Sequence, residues 1–322
     1  MISDTVLARI VNSSGIGDPS LVRLDVLSVY LLEELQQCGM LDHMCFKGGN
    51  SLRKIIARRP SRFSRDLDFV DASYHQKTDE GISLEDYYLK LLDRLDGQTY
   101  HDVHWKLLPL TDDDLKGETL HVDAHFFIYG ARAEEGWEKV KENVLSFQCS
   151  FRRPILLPPQ RMALREESWF KELEFKPGEI PVLQVEEAIA EKVRAAFQRT
   201  NPRDIFDLNE YGGLVFDAEL VRSMSILKCW QDRGLYAGKY NFDPEEFFAK
   251  LQTENYKWDN LKSQVAKHAW LEPKALIESV RKRYAFLADL PEIELTLSQD
   301  RAQKRQDLHD QVWESCKTRK QP

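Results

Sequence analysis

The sequence is poor in cysteine, lacks long apolar runs and has no excess of basic residues, and each absence excludes a class of protein. Its five cysteines show no paired spacing, which predicts reduced thiols and a cytoplasmic protein rather than a secreted one held by disulfides. No apolar stretch approaches the length of a membrane span or of a signal peptide. The net charge of −8 argues against a general nucleic-acid coat.

Length and composition indicate a folded chain with more than one part. With 322 residues, 42% of them hydrophobic, it can bury a substantial core and should form two domains, or one domain with a large helical extension. Prolines crowd the stretch after residue 150, which predicts a boundary there. We expect a sheet core over 1–150, a loop-rich connection over 151–182, a helical domain over 183–290, and a polar tail over 291–322 that is solvated or orders on a partner.

A glycine pair and an aspartate pair lie close together in the first part of the chain. Lys47-Gly48-Gly49-Asn50-Ser51 follows a short apolar stretch and precedes a helix, so its backbone N–H groups could approach a phosphate closely. In a strand over 66–70, Asp66 and Asp68 share one face, and such a pair can hold Mg²⁺. Either feature alone is more often a plain turn or a solvated strand, but together they are typical of a nucleotidyltransferase core.

A later predicted strand, over 119–128, carries a third candidate carboxylate. Its apolar side chains alternate toward the core and leave His121, Asp123 and His125 on the other face. We expect Asp123 to complete the acidic site. The same triplet could instead bind zinc, since imidazole and carboxylate both ligate that metal, but a zinc site would give no role to the glycine and aspartate pairs.

A helix in the second part of the chain carries a lysine at the edge of its apolar stripe. Lys192 either snorkels to water or faces a cleft, where its point charge would suit a nucleotide's phosphates. Asn201-Pro202 predicts the start of the next helix, which places Asp204 in the first turn, where the helix dipole favours a carboxylate in any case. Asp207 follows one turn later on the same face.

Four segments together resemble the AbiEii family of bacterial nucleotidyltransferase toxins from type IV toxin–antitoxin systems. They are the run from Lys47 to Arg53, the run from Arg62 to Phe69, the run from Ile180 to Ala195, and the run from Arg203 to Leu208. Asn50 is a departure, since the family usually has threonine or serine there. The resemblance implies an α/β, polymerase β-like mixed sheet core with a helical carboxy-terminal domain. It also implies transfer of nucleotides from NTP onto RNA, at the tRNA acceptor end, and a cognate antitoxin encoded nearby.

The residues and the resemblance together give a set of candidate site residues. The metal ligands are Asp66 and Asp68, and the further catalytic candidates are Asp123, Lys192, Asp204 and Asp207. The nucleotide-binding candidates are Lys47, Gly48, Gly49, Ser51, Ser64 and Lys192. The RNA-binding candidates are Arg53, Lys54, Arg58, Arg59 and Arg62, although a charge run is often only a solvated face. Two other functions stay open: transfer of a nucleotide or phosphate onto a protein side chain, and a non-catalytic nucleotide-binding module.

Overall fold

The computed structural model describes residues 4–16, 18–57, 62–72, 83–101, 103–126, 144–151, 155–232, 241–302 and 304–319. The chain divides into two units. Unit 1 comprises Met1–Pro154, Pro159–Val182 and Ser263–Ala269, and unit 2 comprises Ile155–Pro158, Leu183–Lys262 and Trp270–Pro322. Among the described residues, no helix combines the length and the apolar character needed to cross a bilayer.

A mixed sheet forms the body of unit 1. In chain order its strands are β1 (Met44–Lys47), β2 (Asp66–Asp71), β3 (Thr99–Tyr100), β4 (Val103–Leu107), β5 (Thr119–Phe126), β6 (Val144–Ser150), β7 (Gln160–Ala163) and β8 (Glu179–Val182). Across the sheet they run in the order β3-β4-β5-β6-β2-β1-β8-β7. β2 is antiparallel to β1 and parallel to β6, so it occupies the middle of the sheet.

The alternation predicted for the aspartate strand is confirmed. Leu67 and Phe69 are buried, and the Phe69 ring packs 5.0 Å from the rings of both Phe46 and Phe147 on the neighbouring strands. Asp66 and Asp68 are half-buried on the opposite face. Aromatic packing on one face of β2 therefore fixes which face carries the carboxylates.

Several helices accompany the sheet in unit 1. They are α1 (Asp4–Ser14), α2 (Pro19–Gln37), α3 (Gly48–Ser51, continued by a π-helical turn over Leu52–Ile56), α4 (Leu84–Leu95) and α5 (Asp112–Gly117). Asp18 caps α2, and Ser83 and Asp86 form a capping box on α4. The acidic stretch at 112–114 is the first turn of α5, because Thr111 and Asp114 cap it in the same way.

The predicted loop-rich connection needs correction, since part of it is sheet. β7 and β8 pair with each other antiparallel, and β8 joins β1 in parallel where Phe46 lies opposite Val182. Pro181 lies within β8 without breaking it. Residues 159–182 therefore belong to unit 1, and the boundary falls later than the proline-rich stretch suggested.

Unit 2 is helical, and its last segment is packed rather than solvated. Its helices are α6 (Val185–Gln198), α7 (Pro202–Tyr211), α8 (Ala218–Gln231), α9 (Pro244–Lys250), α10 (Asp259–Lys262), α11 (Pro273–Arg283), α12 (Glu292–Ser298) and α13 (Gln306–Arg319). His309, Val312 and Cys316 recur at helical spacing and are buried, and the His309 ring stacks 4.7 Å from Trp230. This corrects the expectation of a free polar tail, because one narrow stripe is enough to dock α13.

Candidate active site

Gly48 lies directly against the carboxylate of Asp68. The backbone of Gly48 has a φ of 78°, a conformation that favours glycine, and a Cβ at this position would collide with Asp68 Oδ2. Lys47 lies opposite Asp68 in the β1–β2 register, so the turn from β1 into α3 passes over this carboxylate. The glycine at position 48 is required by the chain turn and by the side chain above it.

Gly49 and Asn50 contact the segment that leads into β2, residues 62–66. A Cβ at Gly49 would collide with the guanidinium of Arg62. Asn50 Nδ2 donates to the backbone oxygens of Ser64, at 3.3 Å, and of Asp66, at 2.8 Å. Asn50 thus ties α3 to the start of the aspartate strand.

Two serines predicted to bind nucleotide lie inside unit 1. Ser51 is 1% exposed and its hydroxyl has no hydrogen-bond partner among the described residues, and Ser64 is also buried. A triphosphate could reach the Ser51 hydroxyl only after its neighbours moved aside. Burial therefore gives neither serine an open path to a phosphate.

The basic segment expected along RNA is in large part an internal ion-pair cluster. Arg53 donates from Nε to Asp25 Oδ1 at 3.0 Å and from Nη2 to Oδ2 at 2.8 Å, and Lys54 Nζ lies 2.7 Å from Asp25 Oδ1. All three side chains are buried, as is Arg62. This corrects the expectation that these side chains form an exposed basic face. Arg58 and Arg59 lie outside the described residues.

Asp25 is the charge that holds this cluster together. Burial alone would raise the pKa of its carboxyl, but the Arg53 and Lys54 cations outweigh burial and hold that pKa well below its usual range. The Arg53 guanidinium also lies 3.7 Å from the centre of the Phe63 ring. The cluster therefore anchors α3 to α2.

Asp123 does not lie on the strand beside the aspartate pair. β6 separates β5 from β2, so the backbone of Asp123 is about 10 Å from β2 across two strand spacings. Ser146 on β6 pairs with Asp66 on β2 on one side and with His121 on β5 on the other. The β5 residue level with Asp66 is therefore His121 and not Asp123. The side chain of Asp123 lies outside what the structure describes. The strand order, invisible in the sequence, corrects its expected placement.

In unit 2, Lys192 lies between two buried carboxylates. Its Nζ is 3.1 Å from Asp204 Oδ1 and 2.9 Å from Asp207 Oδ2, and its side chain is 12% exposed. The sequence also left a snorkelling lysine open, and such a lysine would instead extend its ammonium into water. α6 and α7 thus bring together three of the predicted site residues.

Arg199 completes this cluster, although it was not among the predicted site residues. Its guanidinium donates to both oxygens of Asp204, from Nε at 2.8 Å and from Nη2 at 3.1 Å. Burial would raise the pKa of Asp204, but Lys192 and then Arg199 outweigh it and hold the pKa well below its usual range. The Arg-x-Asn-Pro-Arg-Asp spacing at the start of α7 was the available signal.

The described part of the chain contains no group of three or more His, Cys, Asp or Glu side chains arranged to hold a metal ion. Asp66 and Asp68 offer a pair of carboxylates on one face of β2. An oxygen-only pair of this kind fits a hard divalent cation that completes its shell with water and substrate phosphates. It does not fit the closed ligand set of a structural zinc site.

Comparison with known proteins identifies a family and solved structures of similar fold. The family described as "Nucleotidyl transferase AbiEii toxin, Type IV TA system" matches residues 30–308. The structure of MenT4, a nucleotidyltransferase toxin of Mycobacterium tuberculosis, is similar with a TM-score of 0.78 and 24% identity over 98% of this chain and 99% of that one. No curated protein matches the sequence. The similarity confirms the predicted α/β nucleotidyltransferase fold.

Proposed function

Because the chain belongs to the AbiEii family of nucleotidyltransferase toxins of type IV toxin–antitoxin systems, we propose that it uses Mg²⁺ to transfer a nucleotide from NTP onto RNA, at the acceptor end of tRNA. The observation that carries this proposal is the pair Asp66 and Asp68 on one face of β2, with Gly48 turning tightly against Asp68. Family membership also implies an antitoxin partner.

Asp66 and Asp68 would hold Mg²⁺, which when bound neutralises charge on the triphosphate and orients it. The protein's own contribution is to fix both carboxylates before the nucleotide arrives. Packing of Leu67 and Phe69 fixes the strand face, and the turn at Gly48 lets the backbone approach the Asp68 carboxylate. Such preorganisation is the usual source of catalysis when charge develops on a phosphoryl group.

Lys192 is proposed to meet the phosphates of the nucleotide, with Asp204 and Asp207 orienting its ammonium. An ammonium held by two buried carboxylates loses little conformational freedom when a phosphate joins it. Lys47 is proposed as a second phosphate contact, since it precedes the Gly48 turn and lies opposite Asp68. Arg58 and Arg59 are still proposed to contact RNA. Arg53, Lys54 and Arg62 are no longer proposed for this role, because their side chains are buried.

The proposal is tested by following label from each α-labelled NTP in the presence of total RNA and Mg²⁺. Label in RNA, lost with a chelator and restored by added Mg²⁺, supports the proposal, and sequencing of the labelled RNA identifies the acceptor. Label in protein supports the rival function, transfer onto a side chain. Label in neither refutes nucleotidyl transfer under these conditions. Asp68→Asn serves as the inactive control.

A further inference from the structure

The strand directly beside the aspartate pair carries no carboxylate. β6 pairs with β2 in parallel, and its sequence, Val-Leu-Ser-Phe-Gln-Cys-Ser, contains neither aspartate nor glutamate. Ser146 lies opposite Asp66 and shares its sheet face, at the roughly 4.8 Å spacing of neighbouring strands. The residue level with Asp66 on this side is therefore a serine.

Ser146 is connected to a histidine on the next strand. His121 lies opposite Ser146 on β5, and its Nδ1 is 3.2 Å from Ser146 Oγ. The other ring nitrogen, Nε2, lies 3.2 Å from Asp114 Oδ1. With its proton on Nε2 and donated to the carboxylate, the imidazole leaves Nδ1 to accept a hydrogen bond from the serine hydroxyl.

Asp114 is held rigidly for this contact. Its Oδ2 accepts hydrogen bonds from the Thr111 hydroxyl, at 2.6 Å, and from the Thr111 backbone N–H, at 3.0 Å, which leaves Oδ1 to the histidine. The hydrogen bond from the Thr111 hydroxyl is the main reason that the pKa of Asp114 lies below its usual range, and His121 lowers it further. Asp114 is thereby fixed where its Oδ1 can accept the Nε2–H of His121.

Other charged groups lie on the same sheet face or on α5. Lys106 on β4 lies opposite Asp123 and so shares the face of His121, and Asp66 lies beyond Ser146 on β2. α5 also carries Asp112, Asp113 and Lys116, and Lys116 Nζ lies 3.4 Å from Asp113. Asp114 is the carboxylate that contacts the ring directly, so it sets the orientation of the imidazole.

We propose that Ser146, His121 and Asp114 form the proton relay of the transfer reaction. This inference rests on the proposed nucleotidyl transfer. The acceptor hydroxyl oxygen bonds to the α-phosphorus while the bond to pyrophosphate breaks and pyrophosphate leaves. The hydroxyl proton passes to Ser146 Oγ as the Ser146 proton passes to His121 Nδ1, and Asp114 stabilises the imidazolium.

Under this proposal Ser146 touches the acceptor hydroxyl, while His121 and Asp114 act through it. The relay requires a neutral imidazole at the start of each turnover. Transfer should therefore slow in acid, because a protonated imidazole cannot accept the serine proton. If His121 had only a structural role, the His121→Gln variant would keep the pH profile of the wild type.

The test measures single-turnover transfer of label from α-labelled NTP to total RNA by the full chain, from pH 5 to 9. His121→Gln should slow transfer about 100-fold at pH 7 and remove the histidine-dependent fall at acid pH. Ser146→Ala should show a similar loss, with NTP affinity and melting temperature unchanged in both. His104→Gln, the same change on β4 of the same sheet, is the matched control and should transfer within about twofold of the wild type.

A His121→Gln protein with the rate and pH profile of the wild type would overturn the relay while leaving the proposed function intact. A wild-type protein that labels no acceptor would overturn the proposed function and the relay with it. Should His121→Gln fail to fold, Ser146→Ala decides, because the loss of one hydroxyl leaves the ring and its contact with Asp114 in place. Full activity in that variant would also overturn the relay.

Discussion

The ammonium nitrogen of Lys192 lies 2.9 Å from Oδ2 of Asp207, and both side chains are shielded from solvent. A lysine on α6 thereby neutralises a carboxylate on α7 that is fully buried. The pair links the stability of unit 2 to the residues proposed to contact the nucleotide, because either charge would be buried without a counter-ion if the other were removed.

Replacing Lys192 by glutamine should both destabilise the fold and weaken nucleotide binding, because buried carboxylates lose their counter-ion. Removing one partner of a buried ion pair typically costs about 3 kcal/mol or more of the free energy of unfolding. Urea unfolding and NTP titration measure the two effects, and Lys257→Gln, at an exposed lysine of the same unit, is the control. The double variant Lys192→Met, Asp207→Asn should regain stability but not NTP affinity. Full affinity there would contradict the role of Lys192.

Asp66→Asn and Asp68→Asn should each abolish transfer and toxicity without unfolding the protein. Both carboxylates are half-buried on a sheet face away from the core, so their loss removes no packing. Loss of a metal ligand from a site that works by charge neutralisation should slow transfer on the order of a thousandfold, or about 4 kcal/mol of barrier. Asp71→Asn, on the other face of the same strand, is the matched control. Wild-type-like transfer by Asp68→Asn would refute the assignment.

Gly48→Ala should lower both stability and transfer rate, whereas Gly97→Ala should lower stability alone. Both glycines have positive φ, but a Cβ at Gly97 meets nothing within 4 Å, while one at Gly48 collides with Asp68. The strained backbone should cost about 1 kcal/mol in each variant. The additional loss in Gly48→Ala, read from thermal unfolding and transfer assays, measures the collision. Equal losses of stability and transfer rate in the two variants would mean that the Asp68 side chain can move aside without a loss of free energy.

The Asp25 cluster should make the folded state sensitive to acid. The pKa of Asp25 is lower in the folded than in the unfolded chain, where it is about 3.9, so the unfolded chain binds more protons in acid. Its contribution to stability should be complete above about pH 5 and fall as pH drops toward the lowered pKa. Asp25→Asn should lose stability at pH 7 and flatten this dependence. Urea unfolding from pH 7 to 3 measures both, and an unchanged slope would contradict the argument.

The double variant Arg58→Ala, Arg59→Ala tests the RNA contacts that remain after the structure placed Arg53 and Lys54 in the interior. Each lost phosphate contact should flatten the dependence of log affinity on log salt by roughly 0.7 to 0.9. NTP affinity should barely change. RNA binding across a salt series measures the slope. A slope equal to that of the wild type would place the RNA elsewhere.

Local patterns predicted much of the fold and part of the site. The capped start of α7 at Asn201-Pro202 and the alternation in β2 could be predicted because each depends on residues only a few positions apart. The family resemblance named Lys192, Asp204 and Asp207 as candidates, but only the structure shows that the three side chains contact one another. The burial of Arg53 and Lys54 could not be predicted, because their partner Asp25 lies almost thirty positions earlier, on α2.

The sequence by itself determined the face of β2 that carries Asp66 and Asp68 and the position of the Gly48 turn, because backbone geometry and side-chain periodicity act locally. Only the tertiary structure decided that β6 lies between β2 and β5, which brings Ser146 rather than Asp123 level with Asp66. Strand order arises from long-range packing of whole faces, and no short pattern in the chain encodes it.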